Sequence, residues 1–134
     1  VAHNSTGTPN NITSALFRLD FGTSIDNNNP TFFDYGTFGG QVHDFFPFDF
    51  DVVKEGANYI GFLAGMDNSQ QALFYRLNFG NSLLNNPTVT FLGNFLGATR
   101  PNNLHIIERF GQWYIFIPIN LDFVNVYVKV AYNL

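Results

Sequence analysis

The chain has 134 residues, 46% of them hydrophobic, with a net charge of −4 and only 12% charged residues. That is one ordinary domain, or a piece of a larger one, with enough apolar surface for a packed core. The six basic residues are scattered, which argues against nucleic acid as a partner; no apolar run approaches the ~20 residues that span a bilayer, and the lack of cysteine excludes disulfides and thiol chemistry.

Residues 1–14, VAHNSTGTPNNITS, read as a flexible N-terminal segment or linker. They lack the charged and apolar regions of a signal peptide. Asn4-Ser5-Thr6 and Asn11-Ile12-Thr13 match the N-glycosylation triplet, but a chain with 18 Asn produces such triplets by chance. Short runs rich in Phe, Val, Ile and Tyr then alternate with Gly, Asn, Pro and Asp, the pattern of strands and turns. In a first unit, 15–71, the strands are expected at 15–21, 31–38, 48–54 and 58–64. In a second, 72–122, they are expected at 72–79, 88–95, 103–109 and 112–118. A closing strand, 123–132, lies in segment 123–134. Glu55-Gly56 and Phe110-Gly111 are expected to turn a third strand into a fourth as hairpins. MDNSQQ (66–71) reads as the connection between units. A helix over LHIIERFGQWY is rejected on its length and on Gly111 in its middle.

The two units repeat one text. LDFGTSIDNNNPTFFDYGTFGG (19–40) returns as LNFGNSLLNNPTVTFLGNFLG (77–97), with Arg18 standing for Arg76 and Pro30 for Pro87. DVVKEGANYIGFL (51–63) aligns with HIIERFGQWYIFI (105–117) after a short insertion, placing Val52-Val53 on Ile106-Ile107 and Tyr59 on Tyr114. VYVKVAY (126–132) puts Lys129 where Arg76 stands. The period, roughly 55 residues with four strands each, is that of propeller blades. The expected fold is all-β, with β-propeller-like blades in two four-stranded repeats plus one extra strand; a β-sandwich is the alternative. The fourth strands are apolar on both faces, which suits sheets stacked face to face. Two blades do not close a ring. The chain is therefore expected to be an excerpt, to associate with copies, or to pack as a sandwich, the last strand completing a neighbouring blade.

The frame RLDFGTS…NNPT, its second copy YRLNFGNSLLNNPTVTFLGNFLG and the hairpin ERFGQWYIFI resemble propeller-type repeats of large secreted and cell-surface proteins from gliding bacteria. The resemblance covers most of 16–132. It implies an exported scaffold or binding module beside adhesive domains, secreted or on the cell surface, and it carries no catalytic signature.

Candidate chemistry lies where the copies disagree. Asp44, Asp49 and Asp51 with His43 form the cluster HDFFPFDFD; Asp49 and Asp51 share a face of a strand and could bind a cation or move a proton. Solvated carboxylates on an edge strand are the competing reading. DNNNP (26–30) reads as a turn. His3, His43 and His105 have no metal-ligand spacing, and no metal or cofactor is assigned. Trp113, with Tyr114 beside it, could stack on a sugar ring or pack between blades. Arg18, Arg76 and Lys129, recurring at equivalent places, read as repeated cross-strand contacts. The expected function is a non-enzymatic structural or adhesive module whose partners are other blades, other domains or copies of itself. A carbohydrate-binding lectin with sites between blades is the alternative, and a glycan-active enzyme using Asp49 or Asp51 a third.

Overall fold

A computed structural model describes residues 2–5, 12–37, 45–121 and 124–132, with side chains for 14–37, 45–94 and 99–119. Among them the chain is all-β, without helix. Its strands are β1 (Ala2–Ser5), β2 (Ile12–Ala15), β3 (Phe17–Asp20), β4 (Thr31–Asp34), β5 (Phe46–Glu55), β6 (Asn58–Met66), β7 (Gln71–Gly80), β8 (Thr88–Thr99), β9 (His105–Arg109), β10 (Gln112–Leu121) and β11 (Val124–Tyr132). Each of the nine expected runs holds a strand. The polar start differs from the expected flexible lead-in: β1 pairs antiparallel with β2, whose chain runs on through Leu16 into β3.

Pairing is antiparallel throughout. β5, β6, β7 and β8 form a meander, β9, β10 and β11 a second one, and β3 pairs with β4. The two meanders are joined through one pair, Thr99 with Asn120. The ladder between β6 and β7 crosses the 71/72 boundary between sequence units. MDNSQQ is thus a tight hairpin inside one sheet. The Asp67 carboxylate accepts from the amides of Ser69 (2.8 Å) and Gln71 (2.9 Å), and Gln70 takes φ +66° to close the turn. An Asx-type cap of this kind reverses the chain within a few residues, so the flanking strands have to pair. Each repeat therefore gives its last two strands to the same sheet as the first two strands of the next repeat.

In the central β5–β8 sheet the two inner strands, β6 and β7, are buried on both faces. On one side Ile60, Phe62, Ala64 and Phe74 pack against Leu104, Ile115, Ile117 and Ile119 of the β9–β11 layer. On the other, Leu63, Tyr75, Leu77 and Phe79 pack against Leu16, Tyr35 and Phe45 from the N-terminal part. Three layers result, and alternation along each strand divides the residues between the two interfaces. Close approach requires glycine in β6: a Cβ on Gly65 would lie 2.2 Å from the Phe46 carbonyl oxygen and 2.3 Å from the Phe45 ring.

The hairpins fix how the repeats superpose. Glu55 pairs with Asn58 around Gly56-Ala57, and Arg109 with Gln112 around Phe110-Gly111. This equates Tyr59 with Trp113 and Phe62 with Phe116, one residue away from the sequence alignment of Tyr59 with Tyr114. Cross-strand partners agree: Arg76 of β7 stands opposite Phe62 of β6, and Lys129 of β11 opposite Phe116 of β10.

Candidate functional site

The N-terminal hairpin and the central sheet enclose a cleft of about 460 Å3, walled by Arg18, Tyr35, Phe48, Asp49, Phe50 and Phe79 among others. Its floor follows from the sequence FPFDFD. β5 is an edge strand, the place in a sheet where proline is tolerated. The register slips between Pro47 and Asp49, so Phe48 is an extra, bulged residue. The bulge turns the Phe48 ring outward, leaving it partly exposed at the rim.

The opposite wall is a clamp. The Arg18 Nη1 donates to the Tyr35 hydroxyl at 3.0 Å and to the Leu83 carbonyl; the Tyr35 hydroxyl donates to that same carbonyl. The guanidinium carbon lies 5.1 Å from the Phe33 ring centre and 5.8 Å from that of Tyr35. Nη2 stands 3.9 Å from the carboxylate of Asp20, whose side chain is exposed. Arg18 therefore reaches from its own hairpin to the β7–β8 loop. Arg18 makes the expected cross-strand contact, with Phe33 on β4, and adds a cross-sheet one. Arg76 shares a further property with Arg18: among the described residues, the Nε of each is buried without a hydrogen-bond partner.

The structure separates the residues singled out in the sequence. Asp49 and Asp51 share one face of β5, opposite Ala64 and Phe62. Both are half-buried, and their carboxylates serve the backbone. Asp49 accepts from the Phe50 amide at 2.9 Å and, through its other oxygen, from the Leu104 amide; Asp51 accepts from the Val52 amide at 2.8 Å. Asp49 thus ties β5 to the chain entering β9, in place of the expected solvated carboxylate. His43 and Asp44 lie outside the described residues. Trp113 pairs with Glu108 at the far end of β9 from Leu104, four residues or roughly 13 Å along a strand. Trp113 and Tyr114 are neighbours on β10 and face opposite sides, so one sugar ring cannot rest on both. The Tyr114 hydroxyl donates to Gln112 at 2.6 Å. No group of three or more His, Cys, Asp or Glu able to hold a metal occurs among the described residues.

What the cleft offers is aromatic walls, one cation already committed to a carbonyl and one carboxylate already committed to amides. It can bury the apolar face of a ligand. Its Arg18 and Tyr35 escaped the sequence reading as wall residues because both belong to the repeated text, where charge reads as scaffold; Phe48 was signalled by Pro47 inside a strand run. Comparison with protein-family models, with curated proteins and with solved structures found no match to this chain.

Proposed function

We propose that the chain is a non-enzymatic structural or adhesive β-repeat module of an exported surface protein, its sheets acting as propeller-like blades that work through protein–protein contacts. The observation that carries this reading is the Arg18 clamp. A charged residue of the repeated text leaves its own hairpin to hold the Leu83 carbonyl of the next layer, so the charge goes into joining sheets. The Asp49 carboxylate is likewise held by a backbone amide of the next layer. In an array of stacked units, stability grows with each added neighbour interface. A variant carrying a second copy of 72–122 after residue 122 is expected to unfold at a higher denaturant concentration than the unmodified chain. An equal or lower midpoint overturns the stacking reading.

The aromatic cleft supports a second reading, a carbohydrate-binding module with its site between blades. Phe48, set outward by the bulge and 43% exposed, is the ring a sugar would stack on. Saturable glycan-array binding that Phe48→Ala abolishes and Trp113→Ala leaves intact would replace the scaffold reading with this one. Binding lost only in Trp113→Ala would place the sugar elsewhere.

A further inference from the structure

We infer that Arg76 is a docking point for a further stretch of the repeated text: its guanidinium takes a backbone carbonyl from a loop of the kind FGNSLLNNP (79–87), carried by a segment that continues β11. The inference rests on the face-to-face stacking reading and names both the partner and the residue that holds it.

Arg18 and Arg76 occupy one position of the repeat in structure as well as in text. Arg18 stands opposite Phe33 on β4 and Arg76 opposite Thr90 on β8; Leu19 stands opposite Phe32 and Leu77 opposite Val89. The layers also stack in one sense. Leu77 lies on the face of the central sheet that the N-terminal layer covers and is fully buried, whereas Leu19, on the matching face of the β3–β4 hairpin, is 54% exposed. On the opposite faces the two arginines look toward the next layer. Arg18 reaches the β7–β8 loop. Arg76 alternates with Tyr75 and Leu77, so it shares the face of Phe74, which packs on the β9–β11 layer. The hairpin superposition extends the order: Leu63 faces the N-terminal layer, and its equivalent Ile117 faces the central sheet.

In that order the partner of Arg76 is the loop after β11, as the partner of Arg18 is the loop after β7. Arg18 finds there the Leu83 carbonyl, seven residues after Arg76. Lys129 is the β11 residue opposite Phe116, as Arg76 is opposite Phe62, and seven residues after Lys129 falls past Leu134, where the sequence stops. A second partner is replaced. Tyr35, whose hydroxyl shares the Leu83 carbonyl with Arg18, stands five residues after Pro30; five residues after Pro87 stands Leu92, which packs on the same interface but carries no polar atom on its side chain. Among the described residues Arg76, half-buried in β7, accordingly makes no hydrogen bond or ion pair, and its Nε is buried without a partner. A guanidinium is all donor and a buried donor without an acceptor is costly. A loop carbonyl brought to Arg76 as Leu83 is brought to Arg18 supplies the acceptor.

Urea unfolding of two chains tests this. In the unmodified chain Arg18→Met is expected to lower the midpoint, because it breaks the clamp on Leu83. Arg76→Met is expected to leave the midpoint unchanged or raise it, because methionine keeps much of the apolar stem and needs no acceptor. In the extended chain, residues 130–134 are replaced by a copy of 77–97, so that Lys129 is followed by the text that follows Arg76. Its midpoint is expected to be higher, and Arg76→Met is then expected to lower it about as much as Arg18→Met does. The Arg76 Nε–H resonance is expected to shift on extension in a proton–nitrogen spectrum. If Arg76→Met lowers the midpoint of the unmodified chain as far as Arg18→Met, Arg76 is already held and the inference is overturned, whether or not the extended chain folds. An extended chain that gains no stability, or one in which Arg76→Met acts as it does in the unmodified chain, overturns it too. If the unit-insertion variant still gains stability in those cases, stacking stands and only the role of Arg76 is wrong; if it does not, both fall.

Discussion

Phe110 occupies the first central position of the β9–β10 turn with φ +56°, followed by Gly111 at +74°. Two successive positive values define the tight hairpin turn whose preferred text is Asn-Gly. A bulky L-residue there places its Cβ against its own carbonyl, at a cost of about 1–2 kcal/mol. Little offsets it. The ring is 90% exposed, and its recorded partner is the Arg109 guanidinium, 5.0 Å from the ring centre, an exposed contact worth about 0.5 kcal/mol. Phe110→Asn keeps the turn and relieves most of the strain, for a net gain of about 0.5–1 kcal/mol. For a chain of this size that raises Tm by about 2–5 °C in a calorimetric or circular-dichroism melt. Phe110→Gly relieves the strain too but loosens the unfolded chain, so its Tm is expected below that of the Asn variant. Phe110→Val, β-branched, is expected to melt below the wild type. If Asn does not raise Tm and Val does not lower it, the backbone at 110 is not strained and the argument fails.

Leu77→Ala is expected to cost about 3 kcal/mol in urea unfolding, as deletion from a packed interior does, while Leu19→Ala at the equivalent exposed position costs under about 1 kcal/mol in dilute solution; equal losses would refute the matching of the two faces. Gly65→Ala drives a methyl into the Phe46 carbonyl and the fully buried Phe45 ring and is expected to cost about 3 kcal/mol or more, seen as loss of the folded chain on heating. Burial, with a smaller contribution from the Asp67 charge, raises the Tyr75 hydroxyl above its ordinary 10.0. The unfolded chain then loses this proton before the folded one, so stability holds below pH 10 and falls as the pH rises past it toward the folded value. Tyr75→Phe is expected to flatten that part of the denaturation curve against pH, and an unchanged alkaline slope would contradict it.

The strands were legible because aromatic and β-branched runs stop at residues with a backbone reason to stop. Gly22, Gly56 and Gly80 all take positive φ where the text breaks. The phase of the sheets was not legible. MDNSQQ and the stretch around Pro101 are both polar breaks, and only Asp67 capping its own turn distinguishes a hairpin from a crossing between layers. Glycine misled the alignment by one residue. Gly56 is the first central residue of its turn and Gly111 the second of its own, so matching the glycines paired Tyr59 with Tyr114 when the ladders pair it with Trp113. The clamp and the role of Asp49 depend on partners 65 and 55 residues away, a separation that no local pattern records.

The Asp67 hairpin has a consequence for how the chain folds. Cut out along its own text, the first repeat would hold the β3–β4 pair and half of the central meander, and the second would hold two strands from each of two meanders and neither meander whole. Neither repeat then carries a complete central meander, and the smallest cooperative piece spans the junction between the two. Every strand pair of the central meander forms between chain neighbours, so that piece can zip from its turns outward before the layers dock. Proteolytic nicking between Asp67 and Gln71 is therefore expected to disable folding more than nicking between Asn102 and Asn103, although both sites are exposed and polar.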